Sequence, residues 1–198
     1  KKRMSQAPVA VFAIFCLLLW RNVLTITGDV QFVFDLHPGE VPRASGAEER
    51  IGTPVRIKIP GIAVDAAIEK VALAPDGSMG VPRDPFDTAW YEPGPRPGET
   101  GSAAITGHVD GKRGARAVFT DLHKLRPGDR ITVQGDTGSD ISFVVRESRR
   151  YDASADAIDV FTSNDGKAHL NIITCTGAWD KGAGRYAERL VVFTDRES

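Results

Sequence analysis

Cysteine is nearly missing from this 198-residue sequence, which has only Cys16 and Cys175. So few thiols exclude a disulfide scaffold, and no Cys-x-x-Cys pair or Cys/His cluster offers the spacing of a structural zinc site. An excess of positive charge is missing too: 25 Lys and Arg stand against 26 Asp and Glu, a formal net charge of −1. No broad basic field exists to hold a nucleic-acid backbone, and nucleic-acid binding is disfavoured. Helical periodicity is scarce, and no repeat of solenoid or propeller length occurs. What is present is balanced, at 41% hydrophobic and 26% charged. That is the composition of a folding chain rather than a disordered one, and at about 150 residues per domain the length suits one core with an appendage.

Long apolar stretches are confined to the start. Lys1, Lys2 and Arg3 precede 14 uncharged residues, Ala7 to Trp20, a length between a signal-peptide core and the roughly 20 residues that cross a bilayer. No Ala-x-Ala cleavage pattern follows, and Val23 to Thr27 prolongs the apolar character past Arg21 and Asn22, which can snorkel. Residues 1–27 are therefore expected to be a retained single-pass anchor. A buried core helix is the alternative, but the run has no polar face. The leading basic cluster puts the N-terminus in the cytoplasm and the remainder outside. Residues 28–52, with Pro38, Gly39, Pro42, Ser45, Gly46, Glu48 and Glu49, read as a stalk, which leaves 53–198 as the exported domain.

In that domain short apolar runs alternate with turn residues about every ten residues, the pattern of an all-β barrel or sandwich. Strands are expected over Val55–Ile59, ended by Pro60 and Gly61, then over Ile62–Glu69, Ala103–Thr106, Arg130–Gln134, Ile141–Glu147, Leu170–Thr174 and Leu190–Thr194. Two short helices are expected, Ala117–Leu125 and Ser154–Thr162, the latter opening on a serine suited to an N-cap.

Cys175 is the only cysteine of this domain and cannot pair within it. It is either a buried packing residue or a nucleophile. It follows the strand HLNIIT and opens the phrase TGAWDKGAG, which reads as a loop, and by the two-residue period it shares a face with Asn171 and Ile173 while Leu170, Ile172 and Thr174 share the other. A nucleophilic thiol needs a proton partner. Of the four histidines, His37 is in the stalk, His123 lies on a short amphipathic segment, and His169 is six residues from the cysteine along extended chain at about 3.3 Å each. His108 remains, at the end of AAIT in the phrase TGHVDG. Acyl transfer also generates an oxyanion, which needs a cation or donors. Arg189 opens the strand RLVVF, so an antiparallel return brings it beside the sulfur. Arg185, inside the expected loop, is the competitor.

At these residues the sequence resembles the sortases, the membrane-anchored cysteine transpeptidases of Gram-positive bacteria. The resemblance covers about residues 51–198 and rests on TGH with His108, on NIITC ending at Cys175, and on a strand arginine shortly after. The phrases GHVDG, LHKLRPGD followed by ITV, and ITCTG look most like class F, with class E next, although Asn171 stands where many sortases carry threonine. The resemblance implies an eight-stranded β-barrel with short helices and a groove at strand ends. It implies that Cys175 attacks a peptide bond in an LPxTG-like C-terminal sorting signal and forms a thioacyl enzyme. The amine of a cell-wall precursor or another protein then resolves it, with His108 moving protons and Arg189 holding the oxyanion. Ile173, Thr174 and Arg185 are the further candidate substrate contacts. No cofactor or metal is implied; Asp110 and Asp180 near the groove read as turn formers. The alternatives are another cell-wall cysteine peptidase, or a non-catalytic extracellular β-module in which Cys175 is inert.

Overall fold

The computed structural model describes residues 51–197. The expected anchor and all but the last two residues of the stalk lie outside them. Among the described residues no helix is long and apolar enough to cross a membrane.

The strands are β1 Pro54–Ile59, β2 Val64–Val71, β3 Thr88–Tyr91, β4 Gly101–Gly107, β5 Arg130–Gly135, β6 Asp140–Asp152, β7 Ala168–Asp180 and β8 Arg185–Arg196. They close into an eight-stranded barrel in the order β1-β2-β3-β4-β7-β8-β6-β5, with β5 pairing back to β1. Closure covers the strand edges around the barrel body, and the β7–β8 hairpin extends past the β4 and β6 pairings. The β2–β3 and β4–β7 pairs are parallel. The core follows from the two-residue period: Ile105, Ile172 and Val192 stand abreast on β4, β7 and β8, and all three are 0% exposed.

The outer face of β7 and β8 carries a second, smaller cluster. Val160, Val191 and Phe193 pack there with Tyr151, Ala157, Phe161 and Ile173. The short helix α1, Ile158–Phe161, supplies Val160 and Phe161 from the β6–β7 connection and covers this face. Asn171 fixes it in place by donating Nδ2 to the Val160 carbonyl at 2.7 Å.

Both helical expectations are corrected by local ties. In Ser154–Thr162 only α1 is helical. Ser154 turns back to Asp152, whose carboxylate accepts from its backbone N–H and its hydroxyl, so the serine caps nothing. In Ala117–Leu125 only a 3-10 turn at Leu122–Lys124 forms. Here Thr120 Oγ1 accepts from the Ala117 N–H and donates to the Val109 carbonyl, and the Phe119 N–H donates to the His108 carbonyl. These bonds to neighbouring chain replace the helical ladder.

Candidate active site

The site is built from register. In the parallel β4–β7 ladder Thr106 stands beside Ile173. Two residues further on, β7 presents Cys175 on the face that carries Ile173, while His108 is the first residue after β4, which ends at Gly107. Two hydroxyls fasten the strands at this end. Thr106 Oγ1 donates to the Ile173 carbonyl at 3.2 Å and Thr174 Oγ1 to the Gly107 carbonyl at 2.8 Å. In the antiparallel β7–β8 ladder Cys175 lies directly opposite Arg189. Cys175 and Arg189 thus form one row across β7 and β8 on the outer face, beyond Ile173 and Val191, and His108 directly follows the end of β4, whose Thr106 stands beside Ile173.

Gly107 lets the chain leave β4 at this point. A Cβ there would sit 2.5 Å from Phe119 Cδ2 and 2.7 Å from Val118 Cγ1, so any side chain would displace the backbone that leads into His108. The imidazole is held by the β2–β3 connection: its Nε2 lies 2.8 Å from the Pro82 carbonyl. A carbonyl only accepts, so Nε2 carries the hydrogen and Nδ1 is the nitrogen left for proton exchange. Arg189 is steadied from its own strand, Nη1 donating to the Tyr186 and Glu188 carbonyls at 3.0 Å each.

Cys175 is half-buried and unpaired. Burial pushes its thiol up from the ordinary value; the Arg189 charge opposes that rise and the Asp110 carboxylate adds to it. The resting sulfur at neutral pH is therefore a thiol with a minor thiolate population. Alkylation of Cys175 by iodoacetamide, followed by mass spectrometry at that residue, is expected to accelerate about tenfold per pH unit through neutrality, until the thiol titrates above the usual ~8.5. A rate flat with pH from the acid side upward would instead reveal a pre-formed ion pair.

The hairpin after Cys175 differs from the sequence expectation. TGAWDKGAG is mostly ladder rather than loop: β7 runs on to Asp180, with Trp179 opposite Tyr186 and Asp180 opposite Arg185. The register shift between Thr176 and Trp179 is a bulge at Gly177, whose φ of 79° is readily adopted only without a side chain. Cys175 is thus inside its strand, not at its end. The same extension carries Arg185 four residues beyond Arg189, about 13 Å along the strand, where its charge acts on Asp76, Asp152 and Asp180. Among the candidate substrate contacts, Ile173 is half-buried on the outer face. Thr174 is 2% exposed, with its hydroxyl committed to Gly107, so it braces the site instead of facing it.

His169 is 6% exposed and lies between two carboxylates, Nδ1 at 2.8 Å from Asp195 and Nε2 at 3.0 Å from Asp165, so it belongs to a structural clamp. His123 is exposed. Among the described residues no three His, Cys, Asp or Glu side chains gather as a metal site, and Asp180 accepts from the Gly182 and Ala183 backbone N–H groups.

A family model described as the sortase domain matches residues 57–197. Among solved structures, sortase C1 of Streptococcus agalactiae superposes with a TM-score of 0.57 at 24% identity, covering 73% of this chain and 67% of that one. The Clostridium perfringens sortase D5 transpeptidase gives 0.55 at 23%, covering 74% and 79%. A lid mutant of sortase A from Corynebacterium diphtheriae gives 0.58 at 18%, covering 74% and 70%. No curated protein sequence matches.

Proposed function

Since the chain belongs to the sortase family, a family of cysteine transpeptidases, we propose that Cys175, His108 and Arg189 are its catalytic residues and that its substrate is a protein bearing an LPxTG-like sorting signal. The observation that supports this reading is a thiol with a guanidinium directly across the β7–β8 ladder, next to the end of β4 from which His108 follows. The Cys175 thiolate attacks the carbonyl of the scissile bond. Arg189 lies where charge develops on that oxygen, and a fixed cation is worth most at a half-dry site. His108 delivers the Nδ1 proton to the departing amine, the C–N bond breaks, and a thioester is left on the sulfur. A thioester stays reactive toward amines, so a second amine, from a cell-wall precursor or another protein, resolves it. Ile173 and the apolar cluster over α1 form the floor beneath the bound peptide.

The phrases GHVDG and ITCTG favour class F, with class E next. The same reading makes residues 1–27 a membrane anchor and the barrel extracellular. The test is intact-protein mass spectrometry after incubation with a panel of sorting-signal peptides. A mass increase at Cys175 equal to the N-terminal peptide fragment is expected for one or more of them. Cleavage without a Cys175 adduct, or no adduct from any peptide, would refute the reading.

A further inference from the structure

Asp110 stands two residues past His108 and has no part in the steps above. Its Oδ2 accepts a 2.6 Å hydrogen bond from the Tyr186 phenol, which lies on β8 three positions before Arg189. The Tyr186 ring in turn meets Trp179 edge-on, with centroids 5.1 Å apart. Asp110 is half-buried, and its second oxygen, Oδ1, makes no hydrogen bond to the described residues. The phenol is pushed up to about 12, first by its bond to Asp110, so it is a constant donor that holds the carboxylate at this end of the row.

A carboxylate close enough to oppose the Cys175 thiolate is a cost to the first half of the reaction. That cost disappears when the sulfur is acylated, because a thioester is neutral. The same carboxylate, two residues past His108 and tied to Tyr186, is then free to act on a cation that approaches the thioester. An aliphatic amine approaches as an ammonium ion at neutral pH, and it must be both attracted and deprotonated before it can attack.

We propose that Asp110, held by Tyr186, docks the ammonium group of the acceptor and so selects cationic amines over water for the second half of the reaction. This rests on the transpeptidase reading and deepens it. The ammonium pairs with Oδ1 and gives one proton to His108 Nδ1. The freed nitrogen attacks the thioester carbonyl, a C–N bond forms, the C–S bond breaks, and the second amine proton goes to the departing sulfur. Cys175 is restored as a thiol and His108 as an acid; one proton returns to solvent before the next attack.

The experiment measures how one acyl-enzyme partitions between aminolysis and hydrolysis, using a peptide that acylates Cys175. The acceptors are glycinamide, mostly cationic at neutral pH, and hydroxylamine, uncharged there. Asp110→Asn is expected to lower the aminolysis-to-hydrolysis ratio at least about tenfold for glycinamide and less than about twofold for hydroxylamine. Added salt should bring the wild-type glycinamide ratio down toward that of the variant. Tyr186→Phe, which keeps the ring and loses the bond, should lower the glycinamide ratio about three- to fivefold. Both branches draw on the same intermediate, so a variant that merely displaced His108 would slow both and leave the ratio unchanged. That result, or equal losses with both nucleophiles, would overturn the proposal. A wild-type protein that no peptide acylates would refute the transpeptidase reading itself and the docking role with it.

Discussion

Alanine at Cys175 is expected to abolish both the peptide adduct and cleavage, a loss of at least about 10⁴-fold, because Cys175 is the only cysteine among the described residues and the nucleophile of the thioacyl route. His108→Ala should cost about 10²- to 10⁴-fold, the usual range for a positioned acid or base. Neither loss should come from unfolding. Cys175 is half-buried rather than part of the core, and the His108 ring makes one bond, to a carbonyl, at the surface of the barrel. Melting temperatures within about 5 °C of the wild type alongside the lost turnover would separate chemistry from stability. Appreciable peptide cleavage by the Cys175 variant would leave the thioacyl route without its nucleophile.

Arg189→Ala is expected to lower kcat/KM about 10²- to 10³-fold, the size of losing one oxyanion-stabilising group, while Arg185→Ala should change it less than about threefold, as for a solvated surface charge. The contrast follows from register: Arg189 faces the sulfur and Arg185 faces Asp180. Arg189→Lys supplies a further check. It keeps the charge but not the planar guanidinium whose Nη1 donates to two backbone carbonyls, so it should recover only part of the loss. A larger deficit in the Arg185 variant would exchange the two roles.

The strands with strict alternation were legible. Ile57 and Ile59 announce β1, although Val55, beside the register shift at Pro54 and Arg56, is 40% exposed, while RLVVF announces the middle of β8 as a continuous apolar run. β3 was not, because TAWY is four residues long and its pairing with β2 and β4 is a tertiary property. The β7–β8 extension hid behind composition: glycine and aspartate suggest a loop, but a single bulge lets Gly177 sit inside a ladder. Helical signals failed where side chains preferred nearby partners, as Thr120 does with Val109. At the site, residue types and chain order propose His108, Cys175 and Arg189, and the β7–β8 register puts Arg189 opposite Cys175 and Arg185 opposite Asp180. Neither Pro82 nor Tyr186 was discernible as a partner. Pro82 reaches His108 from a remote segment through a carbonyl, which every residue offers, and Tyr186, although on the strand of Arg189, finds Asp110 only through the fold.

The grip on His108 by a main-chain oxygen has a consequence for how this protein tolerates change. A side-chain partner can be deleted by one codon, whereas the Pro82 carbonyl survives any substitution at its own position. The orientation of the imidazole is thereby insulated against point mutation and exposed instead to displacement of the segment that carries the carbonyl. Proline at that position fixes its own φ and restricts the residue before it, which narrows the excursions that would let the ring swing free.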